Sequence, residues 1–235
     1  MDAFRDRGRE HREPASFIVT ITVADFDERN VRSQRVRSRR ALDLVLVVCS
    51  SPVWVPTLAI IAAIVVCTSG TPVLFTQERT GKHGKSFTML KFRSMTHAPN
   101  RTSLIPSEDQ FTGVGKLLRR SSLDELPQLL NVLRGDMSLV GPRPMLPIQS
   151  AELTRQQKVR QQVRPGMTGL AQVRGRNSIT WAERIEFDQK WVHSPTLLLY
   201  FTILARTFSA VAETAGTTGH SAADPIAEPR SNRAA

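Results

Sequence analysis

Two neighbouring acidic residues, Asp124 and Glu125, are the side chains of this sequence best suited to covalent chemistry. Pro127 follows them closely, and a proline is typical of the first turn of a helix. A carboxylate at a helix N-terminus lies among unpaired N–H groups, where an arriving phosphate is also stabilised. Asp124 could therefore attack a phosphorus atom, while Glu125 could hold a divalent cation that spreads the phosphate charge.

The same two acids also have a purely structural interpretation. Asp124 could cap a helix that begins near Glu125, or Ser122 and Glu125 could form a capping box. On spacing alone, helix capping is the commoner use of such a pattern. The motif by itself leaves both roles open.

Basic residues supply candidate partners for a phosphate. Gly141-Pro-Arg-Pro144 holds Arg143 between two prolines, which lowers the entropy cost of keeping its guanidinium on a phosphate. Lys91 and Arg93 are two residues apart on a predicted strand, so they should share one face of it. All of these side chains could equally remain solvated. The other candidate substrate-binding residues are Arg119, Arg164 and Arg176.

The chain of 235 residues has 32 Lys and Arg against 21 Asp and Glu, a net charge of +11, so an anionic partner is expected. Nucleic acid is disfavoured as that partner, because the basic residues stand among glycines and prolines and aromatic residues total only 6%. Anionic lipid headgroups and phosphorylated small molecules remain as candidate partners. A membrane-tethered binding protein without enzymatic activity is the alternative that the charge alone would favour.

Ala41–Thr68 is the one segment of the sequence that is long and apolar enough to enter a bilayer. It follows an Arg-rich extension, residues 1–40, which argues against a signal peptide and predicts a cytoplasmic N-terminus. Ser51-Pro52 interrupts the segment. We expect a kinked helix in which serine hydroxyls bond the carbonyls that proline frees. A straight span and a hairpin that returns to the same side both fit this pattern.

The charge on the far side of the segment favours the hairpin. Between Glu78 and Arg120 there are nine Lys and Arg against three acidic residues. Such basic density marks the cytoplasmic side of a membrane. We therefore predict a re-entrant membrane helix over residues 41–70, with both of its flanks on the cytoplasmic face.

Beyond this segment the sequence predicts a mixed fold. Two strands, Val73–Gln77 and Phe87–Phe92, flank a loop that contains two glycines, and a short strand is predicted at Ala171–Val173. One domain should cover residues 71–212, and a disordered tail residues 213–235. The predicted helices are Val114–Arg120, Glu125–Arg134, Pro147–Gln162, Trp181–Trp191 and Pro195–Ala212.

Several long runs stand in a fixed order along the chain. They are Gln77-x-Arg79-x-Gly81, Lys91-Phe-Arg-Ser-Met95, Ser122-Leu-Asp-Glu-Leu-Pro-Gln-Leu129, Gly135-Asp-Met-Ser-Leu-Val-Gly-Pro-Arg-Pro144 and Arg164-Pro-Gly-Met-Thr-Gly-Leu-Ala-Gln172. Together they resemble the bacterial sugar transferase family, the small monotopic phosphoglycosyl transferases that begin exopolysaccharide, O-antigen and glycoconjugate assembly. The similarity covers about residues 40–207.

The resemblance implies an α+β fold, mostly helical. In it, a re-entrant membrane helix hairpin broken at Ser51-Pro52 precedes a compact cytoplasmic catalytic domain with a small sheet and amphipathic interfacial helices. It also implies that Asp124 attacks the β-phosphorus of a UDP-sugar, releases UMP and passes the sugar phosphate to a polyprenyl phosphate such as undecaprenyl phosphate. Glu125 would bind Mg²⁺, and Arg143 would bind the substrate phosphates.

The resemblance further implies a place in the cell. The expected location is the bacterial inner membrane, with the catalytic domain on its cytoplasmic face and against anionic lipid. A homo-oligomer could form there. The intact acidic pair and its basic neighbours argue against an inactive scaffold.

The sequence departs from the family pattern in three places. Pro56 adds a second break inside the membrane segment, and Trp191 stands where relatives often have a tyrosine. The last helix lacks the acidic residue that relatives often place there. The first departure bears on the shape of the membrane hairpin, and the third on how the last helix docks.

Overall fold

The structure is a computed structural model that describes residues 28–95, 111–175 and 179–213. The chain divides into two units, Met1–Val36 and Arg37–Ala235. In the first unit only a helical backbone from Glu28 onward is described, so the following account concerns the second. The predicted N-terminal extension and C-terminal tail lie mostly outside the described residues.

The described chain is mostly helical with two small sheets, which agrees with the predicted α+β class. Its helices are α1 (Glu28–Cys49), α2 (Ser51–Ser69), α3 (Gly113–Arg120), α4 (Gln128–Arg134), α5 (Pro147–Ala151), α6 (Leu170–Arg174), α7 (Trp181–His193) and α8 (Leu197–Glu213). Its strands are β1 (Leu74–Thr80), β2 (Ser86–Phe92), β3 (Ser138–Val140) and β4 (Gly166–Thr168). Short 3-10 helices cover Lys82–Gly84, Leu123–Glu125 and Gln157–Gln162.

The apolar segment forms two helices, α1 and α2, with a break at Ser50. Pro52 has no N–H, so the carbonyl of Val48 lacks its helical donor, and the Ser51 hydroxyl donates to that carbonyl at 2.7 Å. The Ser50 hydroxyl donates to the preceding turn in the same way. The predicted break and the predicted role of the serines are both confirmed, whereas Pro56 lies inside α2 without ending it.

One side of α2 packs against the rest of the unit along most of its length. Trp54, Ile61 and Val65 are buried among residues of β2, α3 and α4. The opposite side is apolar too, and Val53 there is 73% exposed. By length and composition, α2 is the one helix within the described ranges that could cross a membrane. It therefore combines a docked stripe with an exposed apolar face.

The first sheet is the predicted hairpin. β1 and β2 pair antiparallel, with Leu74 opposite Phe92 and Thr80 opposite Ser86. Phe92 at the end of β2 is buried beneath α2. The hairpin is thereby fixed against the apolar segment.

The sequence does not predict the second sheet. Ser138–Val140 and Gly166–Thr168 pair in parallel. Gly166 is required by this close approach, because a Cβ on it would lie 2.0 Å from the backbone nitrogen of Gly141. The predicted strand at Ala171–Val173 is wrong: these residues lie in α6, where packing against α7 favours a helical turn.

The predicted helix over Pro147–Gln162 is split in two. α5 ends at Ala151, and a 3-10 helix begins at Gln157. Between them the Thr154 hydroxyl accepts from the Gln157 N–H at 3.3 Å, and the Gln157 side chain accepts from the Thr154 N–H at 3.0 Å. This local exchange starts a new turn in place of a continuous helix.

The last two predicted helices are present as α7 and α8. Trp191 of α7 packs on Tyr200 of α8, and both are buried in one apolar cluster with Ile203. α8 also has an exposed apolar side, on which Leu198 is 80% exposed. The helix therefore belongs to the core on one side and carries apolar surface on the other.

Candidate active site

Asp124 and Glu125 lie in the 3-10 turn between α3 and α4. α4 begins at Gln128 rather than near Glu125, and no side chain caps either the turn or the helix. Both predicted caps, Asp124 as N-cap and a Ser122 capping box, are therefore wrong. Ser122 instead has a left-handed conformation with φ 58°, which is unfavourable for a residue with a side chain. This residue turns the chain just before the buried Asp124.

Glu125 binds two cationic side chains from distant parts of the chain. Its Oε1 accepts from Lys91 Nζ and from Arg143 Nη2, each at 2.7 Å. Lys91 comes from β2, and Arg143 from the loop after β3. Burial raises the pKa of the Glu125 carboxyl, but the charges of Arg143 and Lys91 outweigh it and hold this pKa well below its usual range.

Asp124 is buried, with 7% of its surface exposed. Burial raises the pKa of its carboxyl to about 6, against the opposing charge of Lys91 and with a further upward contribution from Glu125. Asp124 is therefore mostly ionised at neutral pH but poorly solvated. A desolvated carboxylate beside two cations can act as a nucleophile toward a group that itself carries negative charge.

Two arginines, the buried Arg160 and the half-buried Arg79, hold the Gly141-Pro-Arg-Pro144 loop by its backbone. Arg160 Nη2 donates to the carbonyl of Arg143 at 2.9 Å. Arg79 Nη1 donates to the carbonyl of Pro144 at 3.3 Å, and burial lowers the pKa of Arg79 to about 10. The loop is thus fixed from behind while the guanidinium of Arg143 faces Glu125.

Arg160 is itself held by Asp188 of α7. Its Nε and Nη2 both donate to Asp188 Oδ2, at 2.9 and 2.6 Å, and both side chains are buried. Removing one partner of such a pair would leave an uncompensated buried charge. Arg79, Arg160 and Asp188 are not among the predicted site residues. Arg79 lies in a family motif, but nothing local marks Arg160, since its partner is 28 residues away.

The structure separates two other predicted phosphate ligands from Lys91. Arg93 lies just beyond the end of β2, and its guanidinium bonds the carbonyls of Ser69, the last residue of α2, and of Pro72. Lys91 bonds Glu125, so the two side chains have different partners. The Arg93 N–H still bonds the carbonyl of Val73 at 2.9 Å, and the shared face of Lys91 and Arg93 stays a prediction. Arg164 Nε donates to the carbonyl of Gly135, just beyond the end of α4, at 2.8 Å.

Arg119 acts on the acidic pair through its charge. Its charge is among those that lower the pKa of Asp124, and its guanidinium lies 4.4 Å from the centre of the Phe111 ring. Arg176 lies outside the described residues, so its predicted role stays a prediction.

The acidic pair can hold a divalent cation if a ligand supplies further oxygens. Within the described ranges, no group of three or more His, Cys, Asp or Glu could hold a metal ion. Glu125 accepts from both cations through Oε1, so Oε2 is its available ligand atom, and Asp124 lies next to it in sequence. Mg²⁺ commonly takes one or two carboxylates and completes its shell with phosphate oxygens and waters. The pair therefore suits Mg²⁺ bound together with a phosphorylated substrate.

Comparison with known proteins identifies the family. Residues 34–214 match the family model described as bacterial sugar transferase. The chain is 44% identical over 167 residues to the uncharacterized sugar transferase EpsL of Bacillus subtilis, covering 71% of this chain and 81% of EpsL. It is 39% identical over 188 residues to the UDP-glucose:undecaprenyl-phosphate glucose-1-phosphate transferase of Caulobacter vibrioides, covering 75% and 70%. It is 32% identical over 192 residues to the exopolysaccharide production protein ExoY of Sinorhizobium fredii, covering 74% and 85%. The chain therefore belongs to the bacterial sugar transferase family, and it is a phosphoglycosyl transferase.

Proposed function

We propose that this enzyme transfers a sugar 1-phosphate from a UDP-sugar to a polyprenyl phosphate, with Asp124 as the nucleophile. The observation that carries the proposal is the buried carboxylate of Asp124 beside Glu125 and its two cations. The name of the Caulobacter vibrioides relative gives the same classes of donor and acceptor. The name of ExoY supports a role in exopolysaccharide production.

The proposed reaction has two steps. A carboxylate oxygen of Asp124 attacks the β-phosphorus of the UDP-sugar, and the bond from that phosphorus to the bridging oxygen breaks, so that its electron pair leaves with UMP. A phosphate oxygen of the polyprenyl phosphate then attacks the phosphorus of the sugar-phosphoryl aspartate. The product is a polyprenyl diphosphate sugar, and the Asp124 carboxylate is regenerated.

Lys91 and Arg143 are the proposed partners of the diphosphate. Without substrate they neutralise Glu125, at 2.7 Å each. Phosphate oxygens of the substrate would approach the same cations, which then stabilise the charge that develops on the departing UMP. Mg²⁺ held by Glu125 would supply further positive charge against the diphosphate.

The function is tested by incubating the purified chain with a panel of UDP-sugars, Mg²⁺ and undecaprenyl phosphate. At least one donor should give sustained release of UMP. Without undecaprenyl phosphate, UMP should appear only as a burst no larger than the enzyme concentration, because each Asp124 can react once. Sustained release without acceptor, or no release with any donor, would contradict the proposal.

We propose that the chain attaches to the inner membrane from the cytoplasmic side, and the exposed apolar face of α2 supports contact with a bilayer. A helix that crossed a bilayer would run away from its domain, whereas α2 packs against β2, α3 and α4 on one side. We therefore favour a re-entrant hairpin of α1 and α2 that enters one leaflet. The basic residues on both flanks of the segment favour the same topology.

Cysteine labelling in intact cells and inverted vesicles should distinguish the hairpin from a span. With Cys49 and Cys67 replaced by alanine, single cysteines would be placed at Asn30 and Lys85. Both should react with an impermeant maleimide from the cytoplasmic side only. Reaction from opposite sides would establish a span.

The rate of the first step should rise with pH through about 6, as the Asp124 carboxyl loses its proton. Lys91→Ala removes a positive charge that lowers this pKa, so the rising limb should move to higher pH. Glu125→Gln removes a negative charge that raises it, so the limb should move to lower pH. The measurement is the burst rate of UMP without acceptor, which keeps the titration of polyprenyl phosphate out of the profile. If the rising limb of the pH–rate profile moved in the same direction in both variants, the titrating group would not be Asp124.

A further inference from the structure

Asp43 is the only acidic residue in the apolar segment Ala41–Thr68, and it lies in α1 with 2% of its surface exposed. An ionisable residue in such a segment needs a specific partner. Its carboxylate accepts three hydrogen bonds. Oδ2 accepts from Ser138 Oγ at 2.7 Å, and Oδ1 accepts from the Leu139 N–H at 3.1 Å and from the Tyr200 hydroxyl at 2.7 Å.

Arg40, one helical turn before Asp43, contacts a different element. Its terminal nitrogens donate to the carbonyl of Val132 at 2.6 Å and to that of Leu133 at 3.0 Å. Both carbonyls lie in the last turn of α4, where carbonyls have no donor within the helix. Arg40 therefore caps the C-terminal end of α4 from another part of the chain.

Two of the elements that α1 contacts, α4 and β3, carry the two halves of the active site. α4 begins three residues after Glu125, and β3 runs directly into the loop that holds Arg143. The ion pair between Arg143 and Glu125 thus depends on how α4 and β3 are placed relative to each other. Arg40 and Asp43 hold these two elements from adjacent turns of one helix.

We infer that Arg40 and Asp43 form a positioning clamp, through which α1 sets the placement of Arg143 relative to Asp124 and Glu125. The inference rests on the proposed function of that acidic pair. Neither clamp residue contacts the acidic pair, so both are positioning residues rather than catalytic ones. α1 is then a part of the catalytic domain as well as a membrane element.

The same carboxylate also docks the last helix. The Tyr200 hydroxyl of α8 donates to Asp43 Oδ1 at 2.7 Å. Asp43 thus bonds β3 through Ser138 and Leu139, and α8 through Tyr200. This division allows the two roles, positioning of the site and docking of α8, to be tested separately.

A matched pair of variants separates the two roles. Ser138→Ala and Tyr200→Phe each remove one hydrogen bond to Asp43, and each should lower the melting temperature modestly. Ser138→Ala lies on the side of the active site, and we expect it to slow the first step about fivefold. Tyr200→Phe should slow it less than about twofold. If the two variants lost activity equally, Asp43 would have only a structural role, and the inference of a positioning clamp would be wrong.

A double-mutant cycle tests whether Asp43 acts through Arg143. Asp43→Ala should slow the first step on the order of a hundredfold, because a misplacement of about 1 Å has such an effect. Asp43→Asn keeps an acceptor for the Leu139 N–H and should recover most of the rate. The double variant Asp43→Ala with Arg143→Ala should be no slower than Arg143→Ala alone. If the rate loss of the double variant equalled the product of the two single losses, the two residues would act independently, and the inference would be wrong.

Hydrogen exchange supplies a readout that does not require activity. In Asp43→Ala, the backbone amides between residues 138 and 145, apart from the two prolines, should exchange faster, whereas Glu186→Ala, which removes an exposed acid on α7, should leave them unchanged. If the wild type releases UMP but Asp43→Ala retains full rate and protection, the clamp is wrong. If the wild type releases no UMP, the proposed function is wrong, and the exchange of residues 138–145 still decides whether Asp43 holds the loop.

Discussion

Asp124→Asn is expected to lower UMP release by a factor on the order of 10⁴ or more, because an amide cannot attack the β-phosphorus. The substitution keeps the size of the side chain, so the loss should be chemical. Incubation with a UDP-sugar labelled at the β-phosphate, without acceptor, should label the wild-type protein and leave Asp124→Asn unlabelled.

The stability of Asp124→Asn should rise at neutral pH rather than fall. Burial raises the pKa of Asp124 to about 6 in the folded protein, so the folded state binds a proton that the unfolded state has already lost. At pH values below the pKa that Asp124 has in the unfolded chain, its full contribution to the free energy of unfolding is present. This contribution is lost as the pH rises through the folded-state pKa of about 6. An asparagine has no charge to bury, so the gain in melting temperature should be present at pH 7.5 and smaller at pH 5.

A control separates loss of the nucleophile from loss of any acid. Glu152→Gln removes the charge of an exposed acidic residue after α5 and should keep wild-type UMP release and labelling. Full turnover of Asp124→Asn, or retained label on it, would assign the nucleophile to another residue. Inactivity together with a lowered melting temperature at neutral pH would indicate misfolding instead.

Arg143→Ala is expected to lower kcat/KM for the UDP-sugar by about 10²- to 10³-fold, the range seen when one stabilising donor is removed from a reacting anion. The guanidinium lies on Glu125 and is fixed through its backbone carbonyl by Arg160, so little entropy is lost when it meets a phosphate. Arg143→Lys should recover only part of the rate, since an ammonium lacks the planar pair of donors.

Two further arginine variants make the Arg143 result specific. Arg134→Ala removes an exposed arginine at the end of α4 and should leave kcat/KM unchanged. Arg93→Ala should lower the melting temperature more than the rate, because Arg93 bonds the carbonyls of Ser69 and Pro72 at the end of α2. If Arg93→Ala instead matched the kinetic loss of Arg143→Ala, the sequence-based role of Arg93 as a phosphate ligand would be restored.

The sequence by itself determined the elements whose hydrogen bonds close within a short stretch of chain. The hairpin of β1 and β2, the helices α3, α7 and α8, and the break at Ser50 all follow from periodicity, turn residues and the missing N–H of Pro52. The acidic pair was also visible in the sequence, because it lies in a long family motif. Its own spacing would have supported a helix cap, and the structure shows no such cap.

Only the tertiary structure decided which side chains meet at the acidic pair. Glu125 lies 34 residues from Lys91 and 18 from Arg143, and the pairing of β3 with β4 joins segments that are also far apart in the chain. Arg93 resembles Lys91 in sequence and bonds a different element. Asp43 is a charged residue inside an apolar segment, and its partners Ser138 and Tyr200 lie 95 and 157 residues away in the chain. These outcomes depend on burial and on hydrogen bonds between distant segments. The local pattern of residues does not predict the free energy of such contacts.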